Sequence, residues 1–139
     1  MFIYGFSVSG QKFGKLRFNE LNLVFGATGK QFSFGSFGHK NDQFKSPRYV
    51  TTSPDNHFYV SDHHNHCVKV FDEEGNFKFK FGAKGRGDGE MSFPEGIAFL
   101  DWANGILIAD EGNNRVCKFD QRFVILYQIG RLIRGLLED

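Results

Sequence analysis

The 139-residue sequence has two cysteines, three prolines and one tryptophan, and no apolar run approaches the roughly twenty residues that a membrane-spanning helix needs. Cys67 and Cys117 provide neither a disulfide framework nor the spacing of zinc ligands, which favours a reducing compartment. The first residues lack the charged start and long apolar core of a secretory signal. We therefore expect a cytoplasmic protein without a membrane partner.

The sequence also has almost no net charge, about +1 at neutral pH. This balance excludes a global electrostatic attraction to nucleic acid or to a membrane, so that any basic surface must be a local patch. With 40% apolar and 24% charged residues, the composition is that of a globular protein of at most one domain.

Phenylalanine and glycine are abundant, with 18 and 17 residues. Several phenylalanines alternate with polar residues, as in the run Phe77-Lys78-Phe79-Lys80-Phe81, which is the period of a half-buried strand. An aromatic-rich, glycine-rich sequence with this alternation predicts an all-β fold.

The chain contains an internal repeat, in which residues 34–72 resemble residues 81–120. Phe34-Gly35 recurs 47 positions later as Phe81-Gly82, whereas Asp62 recurs 48 positions later as Asp110, so that one insertion falls near Trp102. Repeats of this length with several short strands indicate the blades of a β-propeller rather than a helical solenoid.

Each repeat is expected to form four antiparallel strands. Runs of apolar and alternating residues, separated by turn signals, predict the strands at 48–52, 58–61, 67–71 and 77–81, and at 96–100, 105–109, 115–119 and 123–129.

The repeats divide the chain into five segments. Residues 36–82 and 83–130 are the two repeats, and residues 24–35 match the outer half of a preceding blade. Residues 1–23 do not match the inner half of a repeat and are left unassigned, and residues 131–139 are read as a frayed tail. The prediction is an incomplete β-propeller of four-stranded antiparallel blades.

The repeat carries the residues Y-V-S-D-H-H-N-H-C-V-K-V-F-D and, in its second copy, L-I-A-D-E-G-N-N-R-V-C-K-F-D. This pattern resembles the NHL repeat, with Asn65-His66-Cys67 and Asn113-Asn114-Arg115 at the defining positions. Residues 24–130 are most similar to the last blades of tripartite-motif (TRIM) proteins that end in an NHL propeller. The resemblance implies a six-bladed propeller that recognises protein or RNA, in a family whose RING and B-box bind zinc and whose RING gives E3 ubiquitin ligase activity.

The sequence departs from that family because it contains no RING, B-box, coiled-coil or filamin-like segment. We therefore expect no catalytic site and no cofactor in this chain, with zinc only in the RING and B-box of a parent protein. Two repeats and a fraction cannot close a propeller. The alternatives are a fragment of a longer protein, a truncated gene product that does not fold, or self-association that completes the ring.

In a four-stranded blade, the loop before the first strand and the loop between the second and third strands emerge at the same end. Both repeats therefore project side chains onto one surface, the loop face, where we expect a protein substrate or adaptor to bind. Cations and flat rings there also suit single-stranded RNA as an alternative partner. The predicted partner-binding residues are Lys45, Arg48, Tyr49, His63, His64, His66, Lys84, Arg86 and Arg115.

Other motifs are read as structural. Asp62 and Asp110 precede an Asn by three residues, where a carboxylate can hold a tight turn. The histidines His63, His64 and His66 form the densest group of potential metal ligands, but neighbouring side chains diverge on an extended segment, so no metal site is predicted. The glycine-rich residues 82–89 lack the Lys-Ser/Thr of a phosphate loop. A metal-dependent NHL-fold amidating lyase is a rival, although that class predicts disulfides and secretion.

Overall fold

The computed structural model describes the backbone of residues 3–6, 12–17, 20–25, 30–100, 105–120 and 125–128, and the side chains of residues 34–100 and 105–120. These ranges form twelve β-strands and two short 3₁₀ turns. The strands are β1 (Ile3–Phe6), β2 (Lys12–Arg17), β3 (Glu20–Phe25), β4 (Lys30–Phe34), β5 (Pro47–Thr52), β6 (Phe58–Asp62), β7 (Cys67–Phe71), β8 (Phe77–Phe81), β9 (Pro94–Leu100), β10 (Gly105–Asp110), β11 (Arg115–Phe119) and β12 (Ile125–Gln128).

The strands build three antiparallel meanders of four strands each, in the orders β1-β2-β3-β4, β5-β6-β7-β8 and β9-β10-β11-β12. We call them blades 1, 2 and 3. The first strands of successive blades adjoin, because β1 contacts β5 and β5 contacts β9. This arrangement confirms the prediction of an all-β, incomplete propeller, since each sheet packs face to face on the next one.

The strands predicted for both repeats are confirmed within one or two residues. Blade 1 adds a finding, because β1 and β2 lie within residues 1–23, to which the sequence assigned no structure. Its outer strands β3 and β4 overlap the segment read as the outer half of a preceding blade. The insertion near Trp102 and the tail 131–139 lie outside the described residues.

Burial follows the position of each strand in its blade. Every residue of β6 and β7 is buried, because these central strands of blade 2 are covered on both faces. The outer strand β8 instead alternates, with its phenylalanines half-buried and its lysines exposed. Strands that are buried on both faces lose the alternation that identifies a half-buried strand in a sequence.

Blade 2 contributes to two apolar clusters, one on each face. On one face, Val50, Phe58, Val60 and Phe71 pack with Phe44 and the half-buried Phe34 at the end of blade 1. The opposite face packs on blade 3, and this second cluster consists of Tyr59, Val68, Val70, Met91, Ile97, Ile106, Ile108, Cys117 and Phe119. Burial of each such side chain stabilises the fold by about 1.5–3 kcal/mol, so that the blades are joined chiefly by hydrophobic packing.

The loops between blades fold back on themselves in the same way. Phe44 donates its backbone N–H to the Ser36 carbonyl at 2.8 Å, and Met91 donates to the Ala83 carbonyl at 2.8 Å. Phe44 and Met91 are buried at equivalent positions, 47 residues apart. Each loop thereby brings one large apolar side chain into the core between blades and carries the chain toward the loop face.

None of the helices in the described ranges has the length and apolarity that a membrane span requires.

Candidate interaction face

The two loops that were predicted to share one end of each blade are hydrogen-bonded to each other. The backbone N–H of His63 donates to the Ser46 carbonyl at 3.2 Å, and that of His64 donates to the Lys45 carbonyl at 3.0 Å. In blade 3, Gly112 donates to the Ser92 carbonyl at 2.7 Å. These hydrogen bonds place the two loops at the same end of each blade, as predicted, and the binding of a partner there stays a prediction.

Asp62 holds this end of blade 2 together from beneath. Its Oδ1 accepts the backbone N–H of Lys45 at 2.7 Å, and its Oδ2 accepts from the Asn65 amide at 2.6 Å. The same amide also donates to the Gly38 carbonyl at 3.0 Å. The structural role predicted for Asp62 and Asn65 is confirmed, because the carboxylate satisfies backbone and side-chain donors that would otherwise be buried without a partner.

A buried cation completes the Asp62 network. The Nζ of Lys69 lies 2.8 Å from Asp62 Oδ2, and both side chains are almost wholly buried. Lys69 also donates to the carbonyls of Lys40, at 3.0 Å, and Gln43. A buried ammonium is tolerated when its charge is paired and its three donors are used, and Lys69 meets both conditions.

In blade 3, Arg115 takes the place of that lysine. Its Nε donates to Asp110 Oδ2 at 2.7 Å, and its two Nη atoms donate to the carbonyls of Arg86, Gly87 and Glu90 at 2.9–3.2 Å. Arg115 was predicted to project onto the loop face. The structure corrects this placement, because the guanidinium is buried and is engaged in binding the loop between the blades.

The cation and the cysteine exchange positions between the two blades. Blade 2 has Cys67 and Lys69, whereas blade 3 has Arg115 and Cys117 at the corresponding places. Both thiols are buried, and burial is the largest cause that raises the pKa of each to about 11. One buried cation per aspartate is therefore kept, although its position along the strand changes.

Phe93 lies at the centre of a group of imidazole rings. Its ring centroid is 4.9 Å from that of His63, 5.7 Å from that of His64 and 4.6 Å from that of His66. Its backbone N–H also donates to His66 Nδ1 at 3.1 Å. Phe93 adopts φ 54°, an uncommon and strained conformation for a bulky residue, which the surrounding rings and this hydrogen bond hold in place.

Two histidines of this group titrate below their usual range. Burial is the largest cause that lowers the pKa of His64 and of His66, and neighbouring positive charges, such as Lys84 beside His66, act in the same direction. His66 Nδ1 also accepts a hydrogen bond, which protonation of that nitrogen would break. The imidazoles of His64 and His66 therefore favour the neutral form at neutral pH.

His63 connects blade 2 with two carboxylates of blade 3. Its Nε2 lies 3.1 Å from Glu111 Oε2 and 3.6 Å from Glu95 Oε1. The hydrogen bond from His63, followed by one with Glu95, holds the pKa of Glu111 below its usual value. These residues are far apart in sequence, and only the packing of the blades brings them together.

The remaining predicted residues divide between surface and core. Lys84 and Arg86 are exposed, and Lys45 and Arg48 are half-buried at the rim of the group. Within the described ranges, none of these four cations forms an ion pair. Tyr49 packs against the apolar cluster between blades 2 and 3 instead of facing outward into the loops.

The histidines do not converge on one point. His39 bonds Asn65 at 2.7 Å, whereas His57 pairs with Asp55 at 3.1 Å in the turn between β5 and β6, at the other end of the blade. His39 and His57 thus lie apart from His63, His64 and His66, whose rings gather around Phe93 instead of diverging as expected from their sequence positions.

Comparison with known proteins identifies the architecture. A family model described as a 6-bladed beta-propeller matches residues 42–128, which is more than half of the chain. The chain belongs to this propeller family.

Its repeats are of the NHL type, as the sequence predicted, because two relatives match them. The protein brain tumor of Drosophila melanogaster is 35% identical over 77 residues, 55% of this chain and 7% of the relative. The B-box type zinc finger protein ncl-1 of Caenorhabditis elegans is 43% identical over 47 residues, 34% of this chain and 6% of the relative.

Solved structures share the propeller fold at low sequence identity. A virginiamycin B lyase from Staphylococcus aureus superposes with a TM-score of 0.62 at 14% identity, covering 91% of this chain and 40% of the lyase. A Bacteroides caccae protein of unknown function superposes with a TM-score of 0.65 at 12% identity, covering 94% and 49%. The chain thus spans less than a tenth of the curated relatives and less than half of these propellers.

The glycine-rich loop of this NHL-type propeller, residues 82–89, has a structural role. Its carbonyls at Gly85, Arg86 and Gly87 accept hydrogen bonds from Asn113 and Arg115, and the Gly87 N–H donates to Glu90 Oε2 at 2.8 Å. The loop therefore directs carbonyl oxygens toward the Arg115 guanidinium and the Asn113 amide, which is unlike a loop that cradles phosphate with its N–H groups.

Sequence reasoning missed Phe93 and the pairing of His63 with Glu95 and Glu111. Phe93 occupies the place that Ser46 has in the preceding repeat, where φ is also positive. The one available sequence signal for Phe93 was that the preceding repeat has a serine at this position.

Proposed function

We propose that this NHL-type propeller is an interaction module that binds a protein substrate or adaptor at its loop face. The observation that carries the proposal is the group of His64, His66 and the strained Phe93 beside the exposed cations Lys84 and Arg86. Such a surface offers flat rings for apolar contact and charges that form no ion pair within the described ranges, whereas the buried Asp62 and Asp110 networks keep the backbone beneath it rigid.

The relatives support a binding role, and the resemblance to TRIM proteins extends it. On this view, the bound protein is a substrate or adaptor of an E3 ubiquitin ligase, whose catalytic RING belongs to the longer parent protein and not to these blades. The proposal assigns recognition, and no catalysis, to this chain.

Charge reversal tests the face. Lys84→Glu with Arg86→Glu should abolish capture of a defined set of proteins from nuclease-treated extract. The matched control reverses Lys78 and Lys80, which are exposed on the outer strand β8. Equal capture by both variants and the unmodified chain would reject the loop face as the binding surface.

RNA is a second candidate, which is favoured by the proximity of aromatic rings to cations that form no ion pair with the described residues. Single-stranded nucleic acid is bound by cations along the backbone and by aromatic rings on which the bases stack. Glu95 and Glu111 make the face less basic, and for this reason we place protein first. If RNA is the partner, Lys45→Glu and Arg48→Glu should weaken binding to single-stranded RNA and flatten its salt dependence. Unchanged affinity and salt slope would rule out RNA at this face.

Self-association is a further proposal about partners. The described part of the chain forms three sheets, and the family description names six blades. A second copy would supply the three remaining blades, with blade 3 of each copy packed on blade 1 of the other. Sedimentation analysis should give the mass of a dimer that unfolds cooperatively, and a monomer at all concentrations would disprove the proposal.

A further inference from the structure

A mixed group of one imidazole and two carboxylates lies where blades 2 and 3 meet at the loop face. His63 comes from the 3₁₀ turn after β6, Glu95 from β9, and Glu111 from the turn after β10. One nitrogen of His63 and one oxygen of each glutamate lie within 4.8 Å of one another. We propose that these three residues form a binding site for a divalent first-row metal ion, such as Mn²⁺ or Zn²⁺.

The distances fit a site that needs only a small adjustment. Ligand atoms about 2.1 Å from a tetrahedral metal are separated by about 3.4 Å. His63 Nε2 already lies 3.1 Å from Glu111 Oε2 and 3.6 Å from Glu95 Oε1. The two glutamate oxygens lie no more than 4.8 Å apart, and both side chains are sufficiently exposed to adjust.

The His63 imidazole is held in place, and its Nε2 points toward the two carboxylates. His63 is only 8% exposed, and its ring packs against Phe93. Its second nitrogen, Nδ1, is buried and has no hydrogen-bond partner among the described residues. Among the described residues, no hydrogen bond to Nδ1 therefore turns the ring so that Nε2 points away from the carboxylates.

The charge of the group also favours a cation. Two carboxylates share one imidazole, and in the described part of the chain neither glutamate has a lysine or arginine as an ion-pair partner. One nitrogen and two carboxylate oxygens leave coordination positions open to solvent or to a partner. A bound ion would thus link the two blades and present an open position at the loop face.

No local pattern in the sequence predicts this site. The histidines nearest in sequence, His64 and His66, turn to Phe93, and the ligands that join His63 come from the next repeat. The proposal does not depend on the proposed partner, since metal binding is measured on the chain alone.

Electron paramagnetic resonance of Mn²⁺ tests the site on the full chain, with Zn²⁺ as the competitor. We expect one bound Mn²⁺ per chain, displaced by Zn²⁺, and at least a tenfold weaker affinity for Glu111→Gln and for Glu95→Gln. His63→Ala should abolish binding. His57→Ala is the matched control, because His57 also lies beside a carboxylate, and this variant should bind as the unmodified chain does.

The glutamate variants keep the test decisive if His63→Ala fails to fold, because both carboxylates are at the surface and their amides retain shape. A melting temperature that rises with Mn²⁺ in the unmodified chain, but not in Glu111→Gln, would support a folded-state site. No bound Mn²⁺ at millimolar concentration, or equal binding by the glutamate variants, would overturn the proposal.

Discussion

At the scale of single residues, the fold depends on buried charges that are fully paired. Asp62 and Asp110 are both wholly buried, and each has one cation and several hydrogen bonds. Removing one partner of such a pair leaves a charge without compensation, which typically costs about 3–5 kcal/mol. The exchange of positions between the cation and the cysteine provides a direct test.

Lys69→Cys should destabilise the chain by about 3–5 kcal/mol, because Asp62 loses its cation. Cys67→Arg added to this variant recreates the arrangement of blade 3 and should restore at least half of the loss. The free energy of unfolding from urea titration measures both. Additive effects of the two changes would show that the positions are not coupled through Asp62.

Protonation of His64 and His66 should reduce stability at mildly acidic pH. Their pKa values are lowered in the folded chain, so the unfolded chain, with a value of about 6.5, takes up protons first. Stability is fully present above about pH 6.5 and falls as the pH decreases from there toward the folded pKa values. Urea titrations at about pH 7.5 and 5.5 would measure the loss.

His66→Asn is the matched variant for this pH effect. Asn114 occupies the same left-handed position in the next repeat, with φ 51° against 54° for His66. The variant should fold and should show a smaller loss between the two pH values. A loss equal to that of the unmodified chain would assign the effect to other groups.

At the scale of elements, the loops between blades depend on glycines at positive φ. A Cβ on Gly35, at φ +92°, would lie 2.5 Å from the Phe44 ring, whereas a Cβ on Gly89, at φ +77°, would meet nothing within 4 Å. An alanine would be strained by the positive φ at both positions, but only at Gly35 would its Cβ also clash with a neighbour.

Gly35→Ala should therefore destabilise the chain more than Gly89→Ala does. The strain of positive φ costs about 1–2 kcal/mol in both variants, and displacement of the Phe44 ring adds to this in Gly35→Ala. Thermal and urea unfolding of the pair measure the difference. Similar losses would mean that the Phe44 ring moves aside without cost.

At the scale of the whole molecule, stability comes from blade-on-blade packing. Neighbouring residues of β10 point to opposite faces of blade 3, so that Ile108 is buried against blade 2 while Leu107 is half-buried on the other face. The comparison of these two residues shows whether anything covers the outer face.

Ile108→Ala should destabilise by about 2–5 kcal/mol, and Leu107→Ala by clearly less, if blade 3 is covered on one face only. Unfolding free energies at low and high protein concentration measure both. A large loss for Leu107→Ala that appears only at high concentration would be the result expected of self-association. Equal large losses at every concentration would contradict the one-sided burial of blade 3.

The all-β class, the strands of blades 2 and 3 and the shared end of their loops could be predicted from the sequence, because these follow from short-range periodicity and from a repeat that can be aligned with itself. Sequence reasoning missed the inner strands β1 and β2 of blade 1, because residues 1–23 do not match the inner half of a repeat. It also placed Arg115 and Tyr49 on the surface, because alternation along a strand does not say which face another blade will cover.

Which distant residues meet depends on how the blades pack. The contact of His63 with Glu95 and Glu111, and the position of Phe93 among three imidazoles, arise where two blades join. Their distances are set by sheet packing across about 30 to 50 residues of sequence, and no local pattern encodes such a separation. The histidines and cations of the face were predictable from the sequence, but Phe93 was not, and the grouping of these residues into a site required the fold.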